Sequence, residues 1–147
     1  SILSALKDGT FEVHDTYNTG VILTGDTKGV TVNEFNGDGI PDLSFTVNNG
    51  SVSTFLNTSR KKFVGVRIKG RKGNLRAVGA TLTFTTKNGT TQTIEVTGGG
   101  SYLSQSGNTK FFGLGDDLSG QLSVVWPDGK TFVLNKVKQG LVDLIWN

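Results

Sequence analysis

Apolar and polar residues alternate in short runs along most of this chain. The runs fall at 10–14, 20–24, 29–33, 43–47 and 51–56, and again at 63–69, 81–85, 92–97, 110–115, 122–126, 131–134 and 141–146. A period of two puts successive side chains on opposite faces of an extended backbone, so each run predicts a strand with one face to a core. The 63–69 run is a clear case: Val64, Val66 and Ile68 share one face, and Arg67 and Lys69 take the other. Turn formers punctuate the runs. Asn48-Asn49-Gly50, Asn88-Gly89 and Asp128-Gly129 each sit between two alternating stretches and predict hairpins. Residues 1–7 have helical propensity but too little length, and stay unassigned. The pattern predicts an all-β chain: a β-meander over the first part, then an antiparallel β-sandwich of about seven strands with turns roughly every 8–12 residues.

One interruption is chemically distinctive. Between the 29–33 and 43–47 runs, Glu34, Asn36, Asp38 and Asp42 stand at positions 1, 3, 5 and 9 of a loop, with Gly39 at position 6. Hard cations such as Ca2+ take several side-chain oxygens on such a loop, with a sharp turn at the glycine and a backbone carbonyl near position 7, here Ile40. The twelfth position is Phe45, where an EF-hand carries a bidentate Glu, so this is not an EF-hand. Glu34 also departs from the usual first-position Asp, and its extra methylene shifts its carboxylate out of register or into water-mediated contact. The competing reading is a metal-free turn, because Asn-Gly and Asp-Gly are ordinary turn formers.

Composition narrows the possibilities. The 147 residues suffice for one domain or two small ones. With no Cys, disulfides, thiolate metal sites and Cys nucleophiles are excluded. With no Met, the chain reads as a processed product or a piece of something longer. No apolar run approaches the roughly 20 residues of a helical membrane span. A calcium loop needs more calcium than the cytosol usually offers, which favours an extracellular or cell-surface setting. Charge is divided along the chain. Residues 1–59 hold seven acids against two lysines, a net −5, whereas residues 60–147 hold thirteen bases against five acids, a net +8. That asymmetry suggests two units, 1–59 and 60–147.

Both units resemble known families. The stretch from Gly29 through Glu34-Phe35-Asn36-Gly37-Asp38-Gly39-Ile40-Pro41-Asp42-Leu43 to Phe55-Leu56-Asn57 resembles an FG-GAP/VCBS repeat of integrin-alpha-type β-propellers. The resemblance implies that Glu34, Asn36, Asp38 and Asp42 supply metal-ligand side chains. It also implies that residues 1–59 are a partial propeller blade, with more blades upstream in a parent of which this chain is the C-terminal end. Repeat units of this kind do not normally bury a core alone. In the second unit the matching pieces are Val66-Arg67-Ile68-Lys69-Gly70, Asn74, Gly79-Ala80, Gly98-Gly99, Ser101-Tyr102-Leu103-Ser104-Gln105, Phe112-Gly113-Leu114-Gly115 and Trp126-Pro127-Asp128-Gly129. In that order they resemble an ASPIC/UnbV domain, found after such propellers in secreted bacterial proteins and in animal cartilage acidic proteins. The triple glycine 98–100 and the ending Trp146-Asn147 depart from that pattern.

Other candidate sites are weaker. His14 is the sole histidine, and no Gly-x-Ser-x-Gly elbow accompanies it, so a solvated strand position is favoured over a catalytic one. Asp116-Asp117 is better read as a turn with an Asp cap than as an acid pair, which would span about 5–10 Å across a cleft. Eight bases crowd residues 60–76, including Arg67, Lys69, Arg71 and Lys72. They form either a polyanion-binding patch or, the favoured reading, a solvated strand face. Phe63 alone offers stacking in that window, so specific nucleic-acid binding is not expected. The loop at 98–105, with Tyr102 and Gln105, reads equally as a sugar-contacting surface and as a special connection between sandwich edges. The sequence thus predicts a non-catalytic extracellular module whose calcium is mainly structural. It would bind a protein or polysaccharide partner and could self-associate through open strand edges. The alternatives are a carbohydrate- or polyanion-binding module using the basic 60–76 face or the 98–108 loop, and an accessory domain of an upstream enzyme.

Overall fold

A computed structural model describes residues 2–6, 8–100 and 102–146. Ser1, Lys7, Ser101 and Asn147 lie outside the described residues, and with them part of the unassigned N-terminal stretch, one residue of the 98–105 loop and the last residue of the Trp146-Asn147 ending. The strands are β1 (Ile2–Ala5), β2 (Phe11–His14), β3 (Thr27–Asn33), β4 (Asp42–Val47), β5 (Ser53–Phe55), β6 (Phe63–Lys69), β7 (Thr81–Thr86), β8 (Thr91–Glu95), β9 (Thr109–Gly113), β10 (Ser119–Val125), β11 (Thr131–Lys138) and β12 (Gly140–Ile145). One helical turn, α1 (Thr16–Thr19), is capped by the Asp15 carboxylate at its start and by Gly20 in the left-handed conformation at its end. The fold is all-β, as the alternation predicts.

The C-terminal strands form two facing sheets, ordered β12-β6-β9 and β11-β10-β7-β8. Their inner faces share one core. Val64, Val66 and Ile68 of β6, Phe112 of β9 and Leu144 of β12 meet Leu82 and Phe84 of β7 and Leu122 and Val124 of β10. Phe84 and Phe112 stack across the sheets with ring centroids 5.5 Å apart. On the outer face of β7 and β8 the threonines pair across strands, Thr83 with Thr93 and Thr85 with Thr91, each at 3.3 Å between hydroxyls. This is why runs so rich in Thr still alternate usefully: hydroxyls face solvent and bulky apolar groups face inward.

Two features differ from the expected pattern. β12 runs parallel to β6, so the sandwich is not wholly antiparallel. After β11 the chain crosses from one sheet to the other at Gln139-Gly140, where Gly140 takes φ 119°, and enters alongside β6 in the same direction. The expected strand at 20–24 is absent, whereas residues 2–5, left unassigned, pair with β2 as a hairpin. Residues 20–24 join no ladder among the described residues, and the outer edge of β3 is covered by the 104–106 segment.

The N-terminal sheet β3-β4-β5 is a small antiparallel meander. None of its residues belongs to the sandwich core, whose members all lie at 64 or beyond. Several of the larger apolar residues before residue 60 stay exposed, among them Phe11, Tyr17, Ile22, Phe35 and Leu56.

Candidate functional site: an acidic loop braced against the sandwich

The oxygen-rich loop closes the β3–β4 hairpin. Asn33 pairs with Asp42, so residues 34–41 form the connection between two ladder-bonded ends. Within it each acidic side chain is turned back onto the loop's own amides. Glu34 Oε1 accepts from the N–H groups of Asn36, at 3.0 Å, and Gly37. Asp38 Oδ1 accepts from Ile40 N–H at 2.7 Å, and Asp38 Oδ2 from Asn36 Nδ2 at 2.9 Å. Asn36 Oδ1 takes the Asp38 N–H at 3.3 Å.

Asp42 differs from the others because it is fully buried. Its Oδ2 accepts from Phe35 N–H at 2.9 Å and its Oδ1 from Asn57 N–H at 2.8 Å. The carboxylate therefore ties the loop to the chain after β5, an attachment strengthened by Asn57 Nδ2 donating to Pro41 O at 3.1 Å. It forms no ion pair with any Lys or Arg among the described residues. Burying an anion without a cation is costly unless hydrogen bonds and a counter-charge offset it. Two amide donors supply the first; nothing in the ion pairs supplies the second.

The loop also abuts the sandwich. Gly39 is buried with φ +77°, and a Cβ there would lie 3.4 Å from the Gly140 Cα and 3.8 Å from the Leu141 Cγ. Position 6 favours glycine because of its left-handed conformation, and a Cβ there would make ordinary contact with the sheet-crossing point between β11 and β12. Arg67 stands close enough for the Glu34 charge to help raise its pKa, behind the larger effect of its hydrogen bonds with Asp143.

Whether the loop suits a hard cation can be judged from these contacts. Glu34, Asn36, Asp38 and Asp42 bring oxygen donors only, the kind calcium takes. Backbone N–H bonds to the same carboxylates fix their orientation without consuming all their lone pairs. In the arrangement described, no three His, Asp or Glu side chains converge as a ready metal cluster among the described residues. Ligation would require Glu34 and Asp38 to swing toward Asp42. The donor chemistry fits; the side chains stand in their backbone-bonded positions.

Two members of the basic 60–76 face, Arg67 and Arg71, are paired with carboxylates. Arg67 makes a two-pronged pair with Asp143 of the neighbouring parallel strand, at 2.7 and 2.8 Å. Arg71 lies over the Trp146 ring, 4.0 Å from its centroid, and reaches Asp128 at 3.4 Å. Trp146 in turn stacks on Trp126, centroids 5.7 Å apart and nearly coplanar at 7°. The buried Trp146 Nε1–H lacks a partner at full hydrogen-bond geometry, and bears on the Asp128 carboxylate. Lys69 and Lys72 are exposed. Of the four residues expected to act together, Arg67 and Arg71 have carboxylate partners and Lys69 and Lys72 join no ion pair among the described residues.

The 98–108 loop is a connection with a definite task. Val30 and Val32 donate their N–H groups to Ser104 Oγ, at 2.9 Å, and Ser106 Oγ, at 3.1 Å. Thr31 Oγ1 donates to Gln105 O at 3.1 Å. Side chains of the sandwich loop thus cover the outer edge of β3 and join the two parts of the molecule. Gln105 Nε2 donates to Gly98 O at 3.0 Å and closes the loop on itself. Tyr102 and Leu103 project into solvent, 78% and 67% exposed. No sequence signal pointed to this edge cover, since serine hydroxyls in a loop carry no period.

His14 Nε2 lies 2.9 Å from Ser4 Oγ and 3.7 Å from Glu12 Oε2. Both contacts engage the same ring nitrogen. A hydrolase triad needs the acid on Nδ1 and the serine on Nε2, so this is a hairpin surface contact and not a relay. Asp117 Oδ2 accepts from Asn88 N–H at 3.1 Å, and Asp117 N–H donates to Leu114 O, as a turn residue would.

A two-layer sandwich carrying a braced acidic loop defines a β-rich module. Residues 70–141 match the family model described as ASPIC and UnbV. Among curated proteins, cartilage acidic protein 1 of Xenopus tropicalis is similar, 31% identical over 125 residues. The similarity covers 82% of this chain and 19% of that protein, so the chain corresponds to about a fifth of its relative. An alignment of 125 residues is longer than residues 60–147 can supply, and includes part of residues 1–59.

Proposed function

We propose that this chain is a non-catalytic, extracellular interaction module, part of a larger protein, in which calcium at the 34–42 loop rigidifies the contact between a propeller-type repeat and the ASPIC/UnbV-type sandwich. The observation that carries this reading is Asp42: a fully buried carboxylate without a cationic partner, at the base of a loop supplying further oxygens from Glu34, Asn36 and Asp38. A divalent ion there would offset the buried charge and the repulsion among the three carboxylates. The β3-β4-β5 meander with its loop between the first two strands is compatible with an FG-GAP/VCBS blade, and its exposed apolar residues suit a unit that packs against further blades. The relative's printed name, a cartilage acidic protein, supports the extracellular assignment. No helix among the described residues is long and apolar enough to cross a membrane.

The test is a thermal melt with calcium and with a chelator. Added calcium raises the melting temperature and EDTA reverses it in the parent chain, while Asp38→Ala shows no response. An unchanged melting curve across calcium concentrations sinks the proposal.

A further inference from the structure

A second cluster of charges lies on the far side of the 98–108 loop. Strand register sets it up: Phe112 faces Val64 and Lys110 faces Val66, so Lys110 shares the core-facing side of β9 with buried Phe112. An ammonium at a position the alternation reserves for an apolar group needs an exit, and finds it under the loop. There it lines a small pocket of about 230 Å³ with Thr97, Gly99, Gly100, Ser104 and Ser106. Lys110 Nζ reaches Gly107 O at 3.4 Å, and Arg76 Nη2 reaches the preceding carbonyl, Ser106 O, at 3.5 Å. Two cations thus converge on consecutive carbonyls. No Asp or Glu lines the pocket, and neither cation joins an ion pair among the described residues. Half-burial pushes the Lys110 ammonium below the ordinary lysine range, and the Arg76 charge pushes the same way. This local excess of positive charge contrasts with Arg67 and Arg71, each of which has its carboxylate.

We propose that this pocket binds a compact oxyanion, a sulfate or phosphate group, against the Lys110 ammonium that lines it, with the exposed Arg76 guanidinium at its rim beside Ser106. Ammonium and guanidinium donors form the strongest hydrogen bonds with such oxygens. The Ser104 and Ser106 hydroxyls and the main chain at Gly99 and Gly100 line the remaining wall, and the hydroxyls, which accept from Val30 and Val32 N–H, keep their protons to donate to an anion. The volume is below the roughly 300–1,000 Å³ of sites that engulf a drug-sized molecule, so one anionic group is the fitting occupant. The group could arrive as a free ion or as an ester on a larger ligand. The inference is independent of calcium, since it uses none of the 34–42 residues.

The experiment is an amide NMR titration of the full chain at fixed ionic strength. Inorganic sulfate and phosphate are added in turn, with chloride as the reference. Saturable shifts are expected at Gly99, Gly100 and Ser106, with affinity about tenfold or more weaker in Lys110→Met and in Arg76→Gln. Met retains the apolar stem that Lys110 lays along the core edge, and Arg76 is exposed, so both variants should fold. Methyl sulfate and phenyl phosphate identify the source: tighter binding of an ester than of the inorganic ion indicates a carried group, and exclusion of both esters indicates a free ion. Shifts no different from those with chloride overturn the proposal, as does unchanged affinity in both variants.

Discussion

The N-terminal sheet and the C-terminal sandwich are built from similar strands, yet they are stabilised differently. In the sandwich, Phe84, Phe112, Leu82, Leu122 and their neighbours are fully buried between two layers. Some charges on its surface are paired, as Arg67 with Asp143 and Arg71 with Asp128. In the N-terminal sheet one fully buried group is a carboxylate, Asp42, and many apolar side chains remain in contact with solvent. Two layers are the least that lets a sheet bury its apolar face. The sandwich has both. The β3-β4-β5 meander leans instead on polar ties, namely Asp42 to the Phe35 and Asn57 amides and the Ser104 and Ser106 hydroxyls to β3.

The sharpest way to break this comparison is to cut each part where its stability resides. Phe112→Ala should destabilise the sandwich by about 3–5 kcal/mol in urea unfolding, because a stacked aromatic leaves a cavity between two sheets. Leu56→Ala, at a residue 52% exposed, should cost less than about 1 kcal/mol. Equal losses at the two sites would erase the distinction. Next in size is Asp42→Ala, which strands two amide donors and should cost about 1–3 kcal/mol for each left unpaired. Hydrogen exchange should then accelerate at Phe35 and Asn57 while amides of β7 and β10 keep their protection.

Ser104→Ala probes the join between the parts. It removes the acceptor for Val30 N–H, and a loss of about 0.5–1.5 kcal/mol is expected, confined to β3 amides in hydrogen exchange. Loss of protection spreading into β6 or β9 would mean that the two parts unfold as one. The smallest effect should come from acid. Burial alone would raise the Asp128 pKa, but the Lys130 amide, the Trp146 indole and the Lys130 and Arg71 charges outweigh it and lower the pKa below the usual 3.8. A carboxyl whose folded pKa is lowered contributes stability above its unfolded pKa and loses it as pH falls through the folded value. Acid unfolding below about pH 4 should therefore be slightly less steep in Asp128→Asn, as monitored by Trp126 and Trp146 fluorescence.

Much of this was legible along the chain. Alternation located eleven of the twelve strands because a period of two is imposed by the backbone wherever one face is buried. It misplaced a strand at 20–24, where the side-chain pattern is present but the segment joins no sheet. The acidic loop was visible because its oxygen-bearing side chains lie close in sequence. The basic 60–76 face was visible as composition, but its meaning changed once Asp143, Asp128 and Trp146, all distant in the chain, came alongside. Lys110 escaped attention because a single lysine within an apolar run carries no local signal of where its ammonium emerges.

The sequence by itself determined which residues face inward, where the chain turns, and that oxygen donors gather between the third and fourth strands. These follow from steric and solvation preferences that act within a few residues. Only the tertiary structure decided that β12 enters parallel to β6, that Asp42 is buried against the Phe35 and Asn57 amides, and that serines at 104 and 106 cover the edge of β3. Each of those depends on groups far apart in the chain, and on the free energy of bringing them out of water together, which no local pattern encodes.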